Sequence, residues 1–119
     1  MSAIFAAAVL TASGTPQRVS TSLAAVLPAI TINGVTYAGG SATERVYQLM
    51  AQAAPSNTGT NIYLGGPGML KATLANTGLV LTKTAPPVSL GQYGGAFALD
   101  DVWFDADTSG DKLLLTLIG

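Results

Sequence analysis

The sequence predicts an all-β fold, a sandwich or barrel of short antiparallel strands in one domain, and three observations predict it. Gly and Pro interrupt the 119 residues at short intervals: Gly14-Thr15-Pro16, Pro28, Asn33-Gly34, Gly39-Gly40, Pro55, Asn57 to Gly59, Gly65 to Gly68, Gly78, Pro86-Pro87, Gly91, Gly94-Gly95 and Ser109-Gly110. The gaps suit strands of roughly four to eight residues rather than long helices. Asn33-Gly34 sits between two β-branched runs, Ala29 to Ile32 and Val35 to Tyr37. Asn-Gly is the strongest two-residue hairpin signal, because both turn positions need positive φ. Near the C-terminus, Asp101 to Asp105 (DVWFD) alternates, and Lys112 to Ile118 (KLLLTLI) is a nearly unbroken apolar run.

The remaining elements follow in chain order. Met1 to Leu10 is apolar and carries no charge. It looks like the apolar stretch of a signal peptide, but the first basic residue is Arg18, so no positive n-region precedes it, and the run is too short to span a membrane. An N-terminal arm or first strand over residues 1–14 is expected, followed by a single β domain over 15–119. Val19 to Leu27 fits a short helix or a strand equally well. Arg45 to Ala53 (RVYQLMAQA) alternates polar with apolar, although Val46, Leu49 and Met50 also fit one face of a helix. Asn57-Thr58-Gly59 turns the chain into a strand at Asn61 to Leu64. Gly65 to Gly68 is expected to be a tight loop between strands. Leu79 to Thr82 and Val88 to Leu90 are further strands. The last two, around Asp101 to Asp105 and Lys112 to Ile118, are expected to form a hairpin about Ala106 to Asp111. The leucine run should be buried on both faces.

Charged residues make up 9% of the chain, against about 25% in an ordinary soluble domain. Surface scaling gives a monomer of this mass about 6,000 Å² of accessible area, so charges are sparse on it. The five Lys/Arg are scattered and the net charge is −1, so no basic stripe exists for tracking phosphates and nucleic-acid binding is not expected. The chain has no His and no Cys. That removes imidazole acid–base catalysis, thiol nucleophiles, Cys/His zinc sites and disulfides. No catalytic residue, cofactor or metal is expected, and the composition points to a structural or binding module.

Four features bear on chemistry. Asp105, Asp107 and Ser109 place oxygens at alternate positions before Gly110, like the start of a calcium loop. Position twelve from Asp105 is Thr116 rather than a bidentate Glu, so the EF-hand pattern fails and a solvated hairpin turn is expected. Gly65-Gly66-Pro67-Gly68 lacks the Lys-Ser/Thr pair of a phosphate loop. Ser and Thr are plentiful, but no motif supports a Ser-Lys dyad. The aromatics Tyr37, Tyr47, Tyr63, Tyr93, Trp103 and Phe104 are expected to pack in the core or between subunits. In DVWFD, alternation puts Val102 and Phe104 on one face and Trp103 on the other.

The order of Val9 to Ser20 (VLTASGTPQRVS), Arg45 to Gly66 (RVYQLMAQAAPSNTGTNIYLGG), Pro86 to Leu90 (PPVSL) and Leu99 to Ile118 (LDDVWFDADTSGDKLLLTLI) resembles small β-rich virion structural proteins of tailed bacteriophages, of the head-decoration or cement type. These stretches cover more than half of the chain and are turn and strand patterns without a catalytic signature. The resemblance implies a compact antiparallel β-barrel or jelly-roll-like sandwich, often a homotrimer. Such proteins sit on the outer surface of the capsid, bind the major capsid protein and bridge its neighbouring subunits. Similar sequences also occur as tail or head-fibre components.

Two functions therefore compete: capsid decoration, and a receptor- or glycan-binding module that uses Trp103 or Tyr93 near the acidic loops. A homo-oligomer is expected, with Ile4, Phe5, Val9, Leu10 and Trp103 at its interface. An uncharged N-terminal segment of high β-propensity is tolerated only when it is paired. No membrane partner is expected.

Overall fold

The computed structural model describes residues 3–22, 30–32, 34–37, 45–46, 48–90, 97–98 and 101–118. Its strands are β1 (Ala3–Val9), β2 (Gln17–Arg18), β3 (Ile30–Ile32), β4 (Val35–Tyr37), β5 (Arg45–Val46), β6 (Gln48–Ala53), β7 (Asn61–Leu70), β8 (Ala75–Thr82), β9 (Val88–Leu90), β10 (Phe97–Ala98), β11 (Trp103–Ala106) and β12 (Lys112–Ile118). They form two antiparallel four-stranded sheets, ordered β1-β12-β6-β9 and β2-β11-β7-β8, with two small ribbons, β3-β4 and β5-β10. The fold is an all-β sandwich. Among the described residues, no strand pairing links the two large sheets into a barrel.

Alternation builds the core. Along β6, Leu49, Ala51 and Ala53 are buried while Gln48, Met50 and Gln52 are half-exposed. Leu113, Leu115 and Leu117 of β12 point the same way, and Ile62, Leu64, Leu81, Phe104 and Ala106 face them from the second sheet. Phe104 is fully buried, which is worth about 2–3 kcal/mol by area. The leucine run is not buried on both faces as expected: Leu114 and Thr116 are only half-buried on the outside of the first sheet. β12 lies between β1 and β6, so both of its edges are paired while its outer face stays partly open.

Other expectations change too. β11 and β12 are not a hairpin. β11 pairs with β2 and β7 in the second sheet, while β12 pairs with β1 and β6 in the first. Residues 107–111 are therefore a crossover between sheets. Of the two forms expected for the N-terminal segment, arm or first strand, Ala3–Val9 takes the second as β1, paired with β12 along its length from Ala3↔Ile118 to Val9↔Lys112. Gly65 to Gly68 is not a loop but part of β7, bent at a register shift beside Gly65. β3 and β4 pair as the hairpin reading expects, with Ile32↔Val35 next to the turn and Gly34 at φ 80°, while Asn33 lies outside the described residues. Of Val19 to Leu27, Ser20–Ser22 is a single 3-10 turn, and residues 23–29 lie outside the described residues.

The bend in β7 carries the β7–β8 hairpin tip back over its own sheet. Ile62 pairs with Ala106. Lys71 is nine residues further on, which would be about 30 Å along a straight strand. Yet its Nζ donates to the Ala106 carbonyl at 2.6 Å. The tip thus returns to the end of β11, and Met69 is buried apart from the main core.

Candidate functional site: crossovers, outer faces and the edge strand

Four connections pass between the sheets at one end of the sandwich: 10–16 after β1, 54–60 after β6, 83–87 after β8 and 107–111 after β11. The acidic run is what joins them. Both oxygens of Asp111 accept backbone amides of the neighbouring crossover, Thr58 at 3.0 Å and Gly59 at 2.9 Å. Asp107 accepts the Asn61 amide at 3.1 Å and the Tyr63 hydroxyl at 2.8 Å. Asp105 accepts the Gly14 amide at 3.1 Å and its neighbour's amide, Ala106, at 2.7 Å. Asn57 exchanges two bonds with Lys112, accepting its amide at 2.8 Å and donating to its carbonyl at 2.9 Å. Lys83 donates from its amide to the Thr60 carbonyl and from its ammonium to the Asn57 carbonyl.

This replaces the solvated-turn reading. Asp105 and Asp111 are buried, and only Asp107 of the three is exposed. Asp107 and Asp111 both hold the stretch 58–61 while Asp105 holds Gly14, and each carboxylate is engaged by backbone amides. Among the described residues, no group of three or more carboxylates is placed to hold a metal ion. Sequence reasoning missed these roles because, Ala106 aside, every partner lies between 44 and 91 residues away, in the crossovers or at the start of β7. The one local signal was the density of Asp in a short run.

Tyr63 senses this arrangement. Its hydrogen bond to Asp107, then burial, push its pKa above the ordinary 10.0, with further charge repulsion from Asp107 and Asp105. The neutral phenol is thus favoured in the fold. Its contribution is fully present below the unfolded value near 10 and is lost as pH rises through the higher folded value. An ultraviolet titration, compared with Tyr63→Phe to isolate this tyrosine, should show late ionisation. Asp107→Asn should bring it earlier; ionisation at or before that of free tyrosine would contradict the geometry.

Ser13 and Lys71 do meet, which no motif signalled: Lys71 Nζ donates to Ser13 Oγ. The arrangement is a clasp rather than a nucleophile–base pair. The Ser13 hydroxyl donates to the Ala106 carbonyl at 2.8 Å, and the ammonium donates to both Ser13 and that same carbonyl. A nucleophilic dyad needs the hydroxyl proton directed at an amine lone pair.

The outer face of the second sheet carries Trp103, half-buried, with the Arg18 guanidinium 5.2 Å from its ring centre. This pair is a cross-strand neighbour, Trp103↔Arg18. The indole Nε1 makes no hydrogen bond and is buried, so its N–H does not face solvent. Tyr47 and Tyr93 lie outside the described residues. An apolar hollow of about 330 Å³ opens between the sheets, lined by Leu64, Gly65, Gly78, Leu79, Leu90 and Val102.

The expected interface residues separate. Leu10 is fully buried in the core, where its amide and carbonyl bond Asp111 and Gly110. It is thus a core residue of its own subunit. Phe5 is 78% exposed and Val9 39% exposed on the outside of the first sheet. Ile4 is placed in β1 opposite Leu117. Exposed Leu70, Leu74 and Val80 add apolar surface on the β7–β8 hairpin. No protein-family model, curated protein or solved structure matches the chain.

Proposed function

We propose that the protein is a non-enzymatic virion structural protein that decorates the outer surface of a phage capsid and stabilises it by bridging neighbouring capsid subunits. The observation that carries this reading is the division of labour among side chains. The acidic groups of the 107–111 crossover, with Lys83 and the hairpin-tip Lys71, are spent on the protein's own backbone. The groups left facing outward include Phe5, Val9, Leu70, Leu74 and Val80, which suit packing against other subunits. The resemblance to head-decoration proteins supplies the partner, the major capsid protein.

Binding to capsids tests the proposal. Expanded phage capsids stripped of decoration protein should retain the purified chain on sedimentation and should become more resistant to heat. Retention by tails rather than capsids would move the protein to the tail or fibre. Binding to a glycan array without capsid uptake would replace structural decoration with receptor recognition.

A further inference from the structure

We propose that β1 is a self-association edge, at which two copies pair antiparallel across a two-fold axis centred on Phe5, each four-stranded sheet continuing into the other. The inference goes beyond the functional reading above and names a surface for the homo-oligomer that the sequence leads one to expect.

β1 is the outermost strand of the first sheet, and among the described residues nothing pairs with its other side. An unpaired edge is a template for another strand, and natural edges are usually blunted by shortness, Pro, charge or bulges. The other edges show such protection. β9 has three residues and follows Pro86-Pro87, and β2 has two residues. β8 is interrupted by register shifts and by Asn76 at φ 51°. β1 has seven residues, AIFAAAV, with no charge and no Pro.

Backbone polarity fixes which groups are free. The Leu10 amide donates to Asp111 and its carbonyl accepts from Gly110, so both face β12. Backbone direction alternates along a strand, so Val9, Ala7, Phe5 and Ala3 turn theirs to the open side. The Val9 carbonyl is indeed met there by Gln17 Nε2 at 3.3 Å. That leaves Ala3, Phe5 and Ala7 with both groups open.

A second β1 uses all three when Phe5 pairs with Phe5 of the other copy and Ala3 with Ala7. Shifting the centre to Ala6 would bring in Val9, whose carbonyl Gln17 already occupies. The Phe5-centred register also places the two exposed rings side by side on one outer face, flanked by small alanines, with no like-charge contact. Aromatic cross-strand pairs of this kind stabilise antiparallel joints. The contact lies at the small end of interface sizes, about 1,000 Å² or less, so association in the micromolar range is expected. A two-fold joint builds dimers, not the trimers implied by the resemblance.

The test uses purified full-length chain. Sedimentation over a concentration series should show a monomer–dimer equilibrium. Phe5→Lys puts a charge at the centre of the joint. Ala7→Pro removes an open-edge amide that β12 does not use. Both should be monomeric with an unchanged circular dichroism spectrum. Because the chain has no cysteine, Phe5→Cys is a unique probe. Directly paired residues lie about 5.5 Å apart between Cα atoms, within disulfide reach. Oxidation should link Phe5→Cys into dimers and leave Val80→Cys unlinked. A monomeric wild type, a trimer, or a dimer that survives both edge variants would overturn the proposal. Capsid retention is read separately, so loss of the joint and loss of the capsid function are distinguishable.

Discussion

Replacing Asp111 with alanine should destabilise the fold by about 2–4 kcal/mol. Asp111 is 4% exposed, and its two oxygens are the acceptors for the Thr58 and Gly59 amides. Truncation leaves both donors without a partner, at roughly 1–3 kcal/mol each when buried. For a domain of this size the melting temperature should fall by about 10 °C. Asp111→Asn separates the acceptor role from packing, because its amide keeps the shape but turns an N–H₂ against a backbone N–H. It should lose most of what alanine loses. An Asp111→Asn protein that melts with the wild type would show that the crossovers do not depend on these bonds. Calcium should leave the wild-type melt unchanged, since the three carboxylates are engaged by backbone amides and, among the described residues, no three are grouped to hold a metal ion.

The strands were legible where the signal is local. The period-two pattern of Gln48 to Ala53 appears as alternating burial, and DVWFD places Phe104 inward and Trp103 outward. Strand partners were not legible. A run such as Lys112–Ile118 shows only that it is apolar. Its neighbours β1 and β6 are brought to it by chain segments far away. The mistaken hairpin has the same cause: turn residues at Ser109-Gly110 are compatible with a hairpin or with a crossover between sheets. The crossover is held by Asp111 on Thr58 and Gly59 and by Asp107 on Asn61 beside them. Asp105 and Asp111 were misread as solvated because carboxylate burial depends on the amides of other loops. The exposed Phe5 fell on the expected segment, whereas the burial of Leu10 needed knowledge of where β1 ends and its crossover begins.

Gly65→Ala should be the most damaging single-methyl change in the second sheet. A Cβ at Gly65 would lie 2.1 Å from the Asn76 carbonyl oxygen and 3.0 Å from both the Asn76 carbonyl carbon and Thr77 Cα. All three are backbone atoms, so no side chain can rotate away and β7 and β8 must separate. Asn76 already has φ 51° and adjoins the register shift, which leaves the local chain little freedom to adjust. Moving β8 also moves the hairpin tip, whose Lys71 bonds to Ser13 and Ala106 hold it across β11. The expected cost is about 3 kcal/mol or more, at the upper end for overpacking. Gly66→Ala is the matched control. Nothing lies within 4 Å of a Cβ there, so its effect should stay within about 0.5 kcal/mol, or be slightly stabilising through lost unfolded-state entropy. Urea unfolding followed by tryptophan fluorescence measures both, because the single Trp is Trp103, the direct cross-strand partner of Gly65. Gly65→Ala should also shift the native emission, since the joint beside the indole is forced open. Equal midpoints for the two variants would mean that β7 and β8 do not approach as closely at Gly65 as described.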